Sequence, residues 1–246
     1  MPLHPIARTS LPDAVFDQLS SEICHGELAP GAPLPSERVL CAALGVNRGA
    51  VREALKRLAQ AGLVVIRHGG PTRVLDFTES AGLDLLARLL LRSDGTLDLG
   101  VGRSVLEMRS ALGPEIAAQC ARRRADPIAE ELERVVGEME AADQDLARLS
   151  ELGMEYWRLL SRGSDNVAYQ LACNTLHRTY DMIRSALLQA MAPELLDCER
   201  HRQIAAAVRK RDTEAAARTA RELLGRSERR ILQVLETLGR AGEVRS

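Results

Sequence analysis

The stretch PSERVLCAALGVNRGAVREALKRL, Pro35 to Leu58, decides how this chain is read. Val51, Ala54, Leu55, Leu58 and Ala61 recur at helical spacing and predict one buried stripe, while Arg48, Arg52 and Lys56 stand four apart on another side. Asn47 is a good N-cap, so the helix is expected to begin at Arg48, and Gly62 to stop it. A row of charges on a helix is by itself an ordinary solvated face. Its setting narrows the reading. Ser36 can cap a short helix carrying Val39, Leu40, Ala43 and Leu44, and Gly45-Val46 joins it to the arginine helix in the proportions of a helix-turn-helix. Two β-branched runs follow, Val64-Val65-Ile66 and Thr72-Arg73-Val74, separated by His68-Gly69-Gly70-Pro71, which predicts a β-hairpin wing.

Working outward, the 246 residues have room for two modest domains, and 46% apolar content is enough for a real core. Aromatics make up only 2%, so helices packed through aliphatic contacts are expected and the fold is mainly α. The net charge of −1 hides an asymmetry: from Arg48 to Arg73 six basic residues (Arg48, Arg52, Lys56, Arg57, Arg67, Arg73) face Glu53 alone. That excess suits a polyanion on one face and leaves the mildly acidic remainder for something else. The five cysteines, Cys24, Cys41, Cys120, Cys173 and Cys198, form no CxxC or Cys/His cluster, so reduced packing residues are expected, with a redox sensor as the alternative. The chain opens without a signal sequence and no apolar run reaches membrane-span length, so a cytoplasmic protein is expected.

Residues 1–10 read as an arm. Leu11 to Cys24 reads as a helix with Val15, Leu19 and Ile23 on one face and Phe16 beside them, closed by His25-Gly26, and ELAPGAPL as a loop into the PSER segment. Beyond the wing, Leu83, Leu86, Leu89 and Leu90 predict an amphipathic linker helix. From Leu99 onward there are only helical patterns, broken at Asp126-Pro127, near 148, at Gly163 to Asn166, at Ala192-Pro193 and at Arg211-Asp212, which predict about six helices. The expected division is a winged helix-turn-helix over 1–76, a linker over 77–98 and an all-α bundle over 99–246. No GxSxG, HExxH or phosphate-cradling glycine loop occurs, and paired acids such as Glu130-Glu131 belong to solvated helix surfaces, so no enzyme is expected.

Pro35 to Val74, with both glycine turns, the arginines and the wing, closely resembles the winged domain of GntR-type bacterial transcription regulators, and within them the FadR branch. PTRVLDFTESAGLDLLARL and LSRGSDNVAYQLACNTLHRTYDMIRSALL extend the resemblance into the helical part. It implies a homodimer on a short palindromic operator in double-stranded DNA, acting as repressor or activator. Arg38, Asn47, Arg48, Gly49 and Arg52 would address the major groove, and His68 and Gly69 at the wing tip the minor groove. That branch carries threonines where this chain has Asn47 and Gly49, which implies a different operator. Many relatives with an FCD domain hold a metal through an Asp and three His residues. Their pattern falls here on Gly153, Trp157, His201 and Leu223, so a single ligand survives and no metal or other cofactor is expected. The resemblance implies instead a small-molecule effector, a long-chain acyl-CoA or fatty acid affecting genes of fatty-acid metabolism, with Arg109, Trp157, Asn174, Tyr180, His201 and Ser227 as candidate contacts. The alternative is a small organic acid, with or without metal.

Overall fold

Ser10 accepts a hydrogen bond from the Asp13 amide and so starts α1 (Leu11–Cys24), which buries Val15, Phe16, Leu19 and Ile23 and ends on His25 and Gly26. The computed structural model describes residues 10–67, 69–91, 96–123 and 126–243, the side chains of 126 and 239–243 excepted. It divides into two compact units, 1–95 and 96–246.

In the first unit Ser36 caps α2 (Glu37–Leu44) through the Val39 amide. Gly45 takes the left-handed conformation (φ 65°) that ends α2, and Asn47 caps α3 (Arg48–Gln60) by accepting from the Ala50 amide at 2.9 Å. Each of these junctions is where local chemistry predicts it. Val51, Ala54 and Leu58 are fully buried against α1. Gly62 (φ +73°) follows α3, and a Cβ there would stand 2.4 Å from the Ser80 carbonyl oxygen, so only glycine fits.

Strands β1 (Val64–Val65) and β2 (Arg73–Val74) pair antiparallel, Val64 opposite Val74. The segment expected as a plain loop into α2 joins them: Leu34 donates to the Thr72 carbonyl (2.8 Å), Val74 to Ala32 (3.0 Å) and Gly31 to Val74 (2.9 Å). Leu34 is thereby buried in the same core. The linker also departs from expectation. Instead of one amphipathic helix, a single turn, α4 (Phe77–Ser80), is followed by a 3-10 turn (Leu83–Leu85) leading into α5 (Leu86–Leu90). Leu85 and Leu90 are the buried positions and Leu83 is exposed, because the change of helix pitch rotates the stripe by about one residue.

The second unit consists, among its described residues, of six helices: α6 (Leu99–Arg123), α7 (Asp126–Ala141), α8 (Leu146–Gly163), α9 (Val167–Leu195), α10 (Cys198–Arg209) and α11 (Thr213–Glu243). α11 packs along α6, α9 and α10, and α7 along α8 and α10. Two boundaries differ from the sequence reading. The turn between α7 and α8 falls at residues 142–145, where Asp143 accepts a positive φ and Asp145 caps α8. α9 runs through Pro193 to Leu195 with a kink at Ile183, because Met191, Glu194 and Leu195 are buried on either side of the proline and hold the turn helical. Exposed pairs such as Arg209–Glu133, Arg162–Glu131 and Arg134–Glu155 tie α7 to α10 and α8, each contributing at most about 1 kcal/mol.

Candidate DNA-reading face and effector site

Arg38, Asn47, Arg48, Gly49, Arg52 and Lys56 are all exposed, carried by the start of α2 and the outer side of α3. Arg48 sits in the first turn of α3, where the helix dipole adds positive potential to its own charge. Arg52 is oriented by Glu37, which accepts two hydrogen bonds from its Nε at 2.9 and 3.0 Å, so the glutamate of the PSER segment aims an arginine of the next helix. Gly69 is exposed at the wing with φ +74°; His68 lies outside the described residues.

The local charge excess is not all on this face. Arg57 pairs with Asp13 and stacks on Phe16 at 4.8 Å, and Arg73 donates to the Gly31 carbonyl at 2.8 Å. Both hold the head together. The Asp13 carboxyl lies below its usual range through hydrogen bonds from Ser10 and Arg57. Arg38, Arg48, Lys56 and Arg67 have no ion pair among the described residues and are free for an external anion.

In the second unit the chemistry is inside. Arg109 of α6 pairs with Glu194 of α9, whose side chain is only 3% exposed, and Ser227 of α11 donates to the other Glu194 oxygen at 2.5 Å. Tyr180 shares a 2.9 Å hydrogen bond with Ser150 of α8, and its hydroxyl pKa is raised, first by burial and also by the charge of Glu194. His201 of α10 is buried, its Nδ1 2.9 Å from the Asp197 carbonyl and its ring edge-to-face with Tyr156 at 4.9 Å. Tyr156 in turn donates to the His201 carbonyl at 2.8 Å. Burial lowers the His201 pKa, so the ring is held neutral.

Four of the six predicted effector residues, Arg109, Tyr180, His201 and Ser227, thus belong to one buried polar region, each bonded to Glu194 or within reach of its charge. Trp157 is half-buried beside it, its ring 3.3 Å from where a Gly113 Cβ would stand; Leu224 would meet the same Cβ at 2.4 Å, so the glycine admits both side chains. Asn174 is exposed on α9 and is not among them. The sequence reading missed Glu194 and Ser150. A single acid between Met191 and Leu195, in an otherwise apolar run, was the available signal for the first.

His177 lies half-buried on α9 with Nε2 3.6 Å from Cys173 Sγ. Burial, helped by the charge of Arg158, pushes its pKa down to about 4. Gly153 and Leu223, two positions of the metal pattern, are buried, and among the described residues no group of three or more His, Cys, Asp or Glu side chains converges as a metal site. Burial pushes the Cys24 and Cys173 thiols up to about 11 and Cys120 to about 12, so they are poor thiolates, as packing residues are. No helix among the described residues is long and apolar enough to cross a membrane.

A helix-turn-helix with a two-stranded wing and an exposed arginine row, joined in sequence to a six-helix unit with a buried polar centre, is the architecture of a DNA-binding protein with a separate helical domain. The comparisons agree. The model of the gntR family of bacterial regulatory proteins matches residues 11–74, and that of the FCD domain residues 104–226. The chain is 37% identical to the HTH-type transcriptional regulator Mce2R of Mycobacterium tuberculosis over 96% of its own length and 97% of that protein's. It is 30% identical to the fatty acid metabolism regulator protein of Pectobacterium carotovorum over 67% of its length and 66% of that protein's. The solved structure of Lar, which controls expression of the Listeria monocytogenes agr system, shares the fold with a TM-score of 0.58 at 16% identity, covering 93% of this chain and 99% of that one. The chain belongs to the GntR family of DNA-binding transcription regulators, with an FCD effector domain and FadR-like relatives.

Proposed function

We propose that this regulator binds, as a homodimer in the cytoplasm, a short palindromic operator near genes of fatty-acid or lipid metabolism, and that a long-chain acyl-CoA or fatty acid in the helical domain releases it. The carrying observation is His201. The one histidine left from the metal pattern bonds a backbone carbonyl and packs on Tyr156, while Gly153, Trp157 and Leu223 replace the other ligands. The Nδ1 bond leaves His201 a single imidazole donor, and one protein ligand without the other three is too few for a metal site. The likeness to fatty acid metabolism regulators supports the same direction.

Arg38, Asn47, Arg48, Gly49, Arg52, His68 and Gly69 make the DNA contacts in this reading. One reading helix buries too little to select a site, so two copies spaced about one DNA turn apart are required. A burial of a dozen methylenes, at about 0.8 kcal/mol each before ordering costs, is ample to bias a two-state bundle. The effector acts only by its difference in affinity between the DNA-bound and released states, so operator DNA must weaken effector binding by the same factor. An operator gel shift titrated with long-chain acyl-CoA, free fatty acid, coenzyme A alone, and citrate with zinc tests this. Release by lipid is expected; release only by citrate with zinc would replace it with organic-acid sensing. Light scattering that finds a monomer free and on the operator would remove the dimer.

A further inference from the structure

Arg109 is the buried region's permanent cation, and its environment is uneven. Its Nη2 side is taken by Glu194, but Nη1 is buried without a hydrogen-bond partner among the described residues. Ser110 Oγ, next to it on α6, and His177 Nδ1 on α9 are likewise buried and unpartnered. After burial and the charge of Arg158, the charge of Arg109 also acts to lower the His177 pKa. Glu194 itself is fully engaged, by Arg109 on one oxygen and by Ser227 on the other.

The sum of charge decides what can enter. Arg109 and Glu194 cancel, and His177 is neutral at ordinary pH. A second carboxylate brought to Arg109 Nη1 would stand beside that of Glu194, and two like charges in a shared desolvated site cannot both remain ionised without a large penalty. A neutral carbonyl oxygen brings the acceptor that Arg109 Nη1 lacks and adds no charge.

We infer that Glu194 is the specificity-determining residue of the helical domain: by occupying Arg109 as a built-in carboxylate it excludes free acids and leaves Nη1 for the neutral carbonyl of an acyl ester or thioester. This rests on the acyl reading for the identity of the ligand, but the exclusion of anions does not, and the two are separable by experiment. Glu194→Gln keeps the shape and the acceptor for Arg109, with the new amide donating to Ser227 Oγ in place of the present bond, while uncovering the charge of Arg109.

The full-length protein and Glu194→Gln are titrated calorimetrically with a matched pair of probes, dodecanoate and its methyl ester. The wild type is expected to bind the ester at least about tenfold more tightly than the acid, and the variant to reverse that order. Equal affinities in the wild type, or a ratio unchanged by the substitution, would overturn the inference. In parallel, thermal unfolding is followed as acetate replaces chloride at constant ionic strength. Acetate should raise the melting temperature of Glu194→Gln and leave the wild type unmoved, and the neutral double variant Arg109→Gln/Glu194→Gln should lose the effect. An acetate effect without binding of either lipid removes the acyl effector but supports the role of Glu194. No acetate effect in the single variant, or one that survives in the double variant, removes that role.

Discussion

The two units of this molecule place their polar chemistry on opposite sides of the solvent boundary. In the winged unit the core of Val15, Phe16, Leu19, Leu40, Val51, Leu58, Leu63 and Val74 is apolar, and its arginines lie towards the surface, free, paired with acids or, for Arg73, bonded to the Gly31 carbonyl. In the helical unit Glu194, His201 and Ser227 are buried, and a guanidinium reaches in to meet them. A surface charge can meet a polyanion of any length without reorganising the core, whereas a buried charge pair can respond to a small molecule that changes its balance. On the proposed reading the same residue type serves recognition in one unit and regulation in the other.

That contrast is most easily broken with methionine. Arg109→Met leaves the Glu194 carboxylate buried and uncompensated and should cost about 3 kcal/mol in denaturant unfolding. Arg57→Met removes a pair whose partners are 34% and 40% exposed and should cost far less than Arg109→Met, because solvent screens it. Equal losses would show that burial does not separate the two pairs.

An effect of similar size follows from His177. Its folded pKa of about 4 lies below the ordinary 6.5, so the unfolded chain binds more protons in that window and stability falls as pH drops from 6.5 towards 4. Each unit of that depression corresponds to about 1.4 kcal/mol, giving a contribution of up to about 3 kcal/mol. His177→Gln should flatten the slope of stability against pH over this range; an unchanged slope would mean the imidazole is solvated.

On the reading face, Arg48→Ala should weaken operator binding by about 1 to 3 kcal/mol and discriminate less at one base pair. A loss of the same size on random duplex would reduce Arg48 to a phosphate contact. Smallest is the cap: Asn47→Ala removes the acceptor of the Ala50 amide and should cost about 1 kcal/mol of stability, read by thermal unfolding without DNA. Because Asn47 is exposed beside Arg48, an operator loss well beyond that of stability would show that it also touches DNA.

Much of the winged unit was legible because its signals act within a few residues. Ser36 and Asn47 cap the helices they precede, Gly45 takes a conformation that glycine adopts freely, and the β-branched runs find each other across a short turn. The same holds for the number of helices in the second unit, since Asn166, Asp197 and Asp212 each cap a neighbour. What distance hides is different. Leu34 joins the wing through Thr72, and Asp13 draws Arg57 off the DNA face from 44 residues away.

The sequence by itself determined the helix-turn-helix, its wing, the arginine row on α3 and the all-helical character of the rest, because caps, turns and apolar spacing are local properties of the chain. Only the tertiary structure decided which charges are buried and with whom. Glu194 and Arg109 are 85 residues apart and Ser227 a further 33 beyond Glu194, and nothing in the spacing of either pair links them. Helix packing alone brings the three together, since the desolvation of a carboxylate and its neutralisation by a distant arginine are consequences of three-dimensional burial.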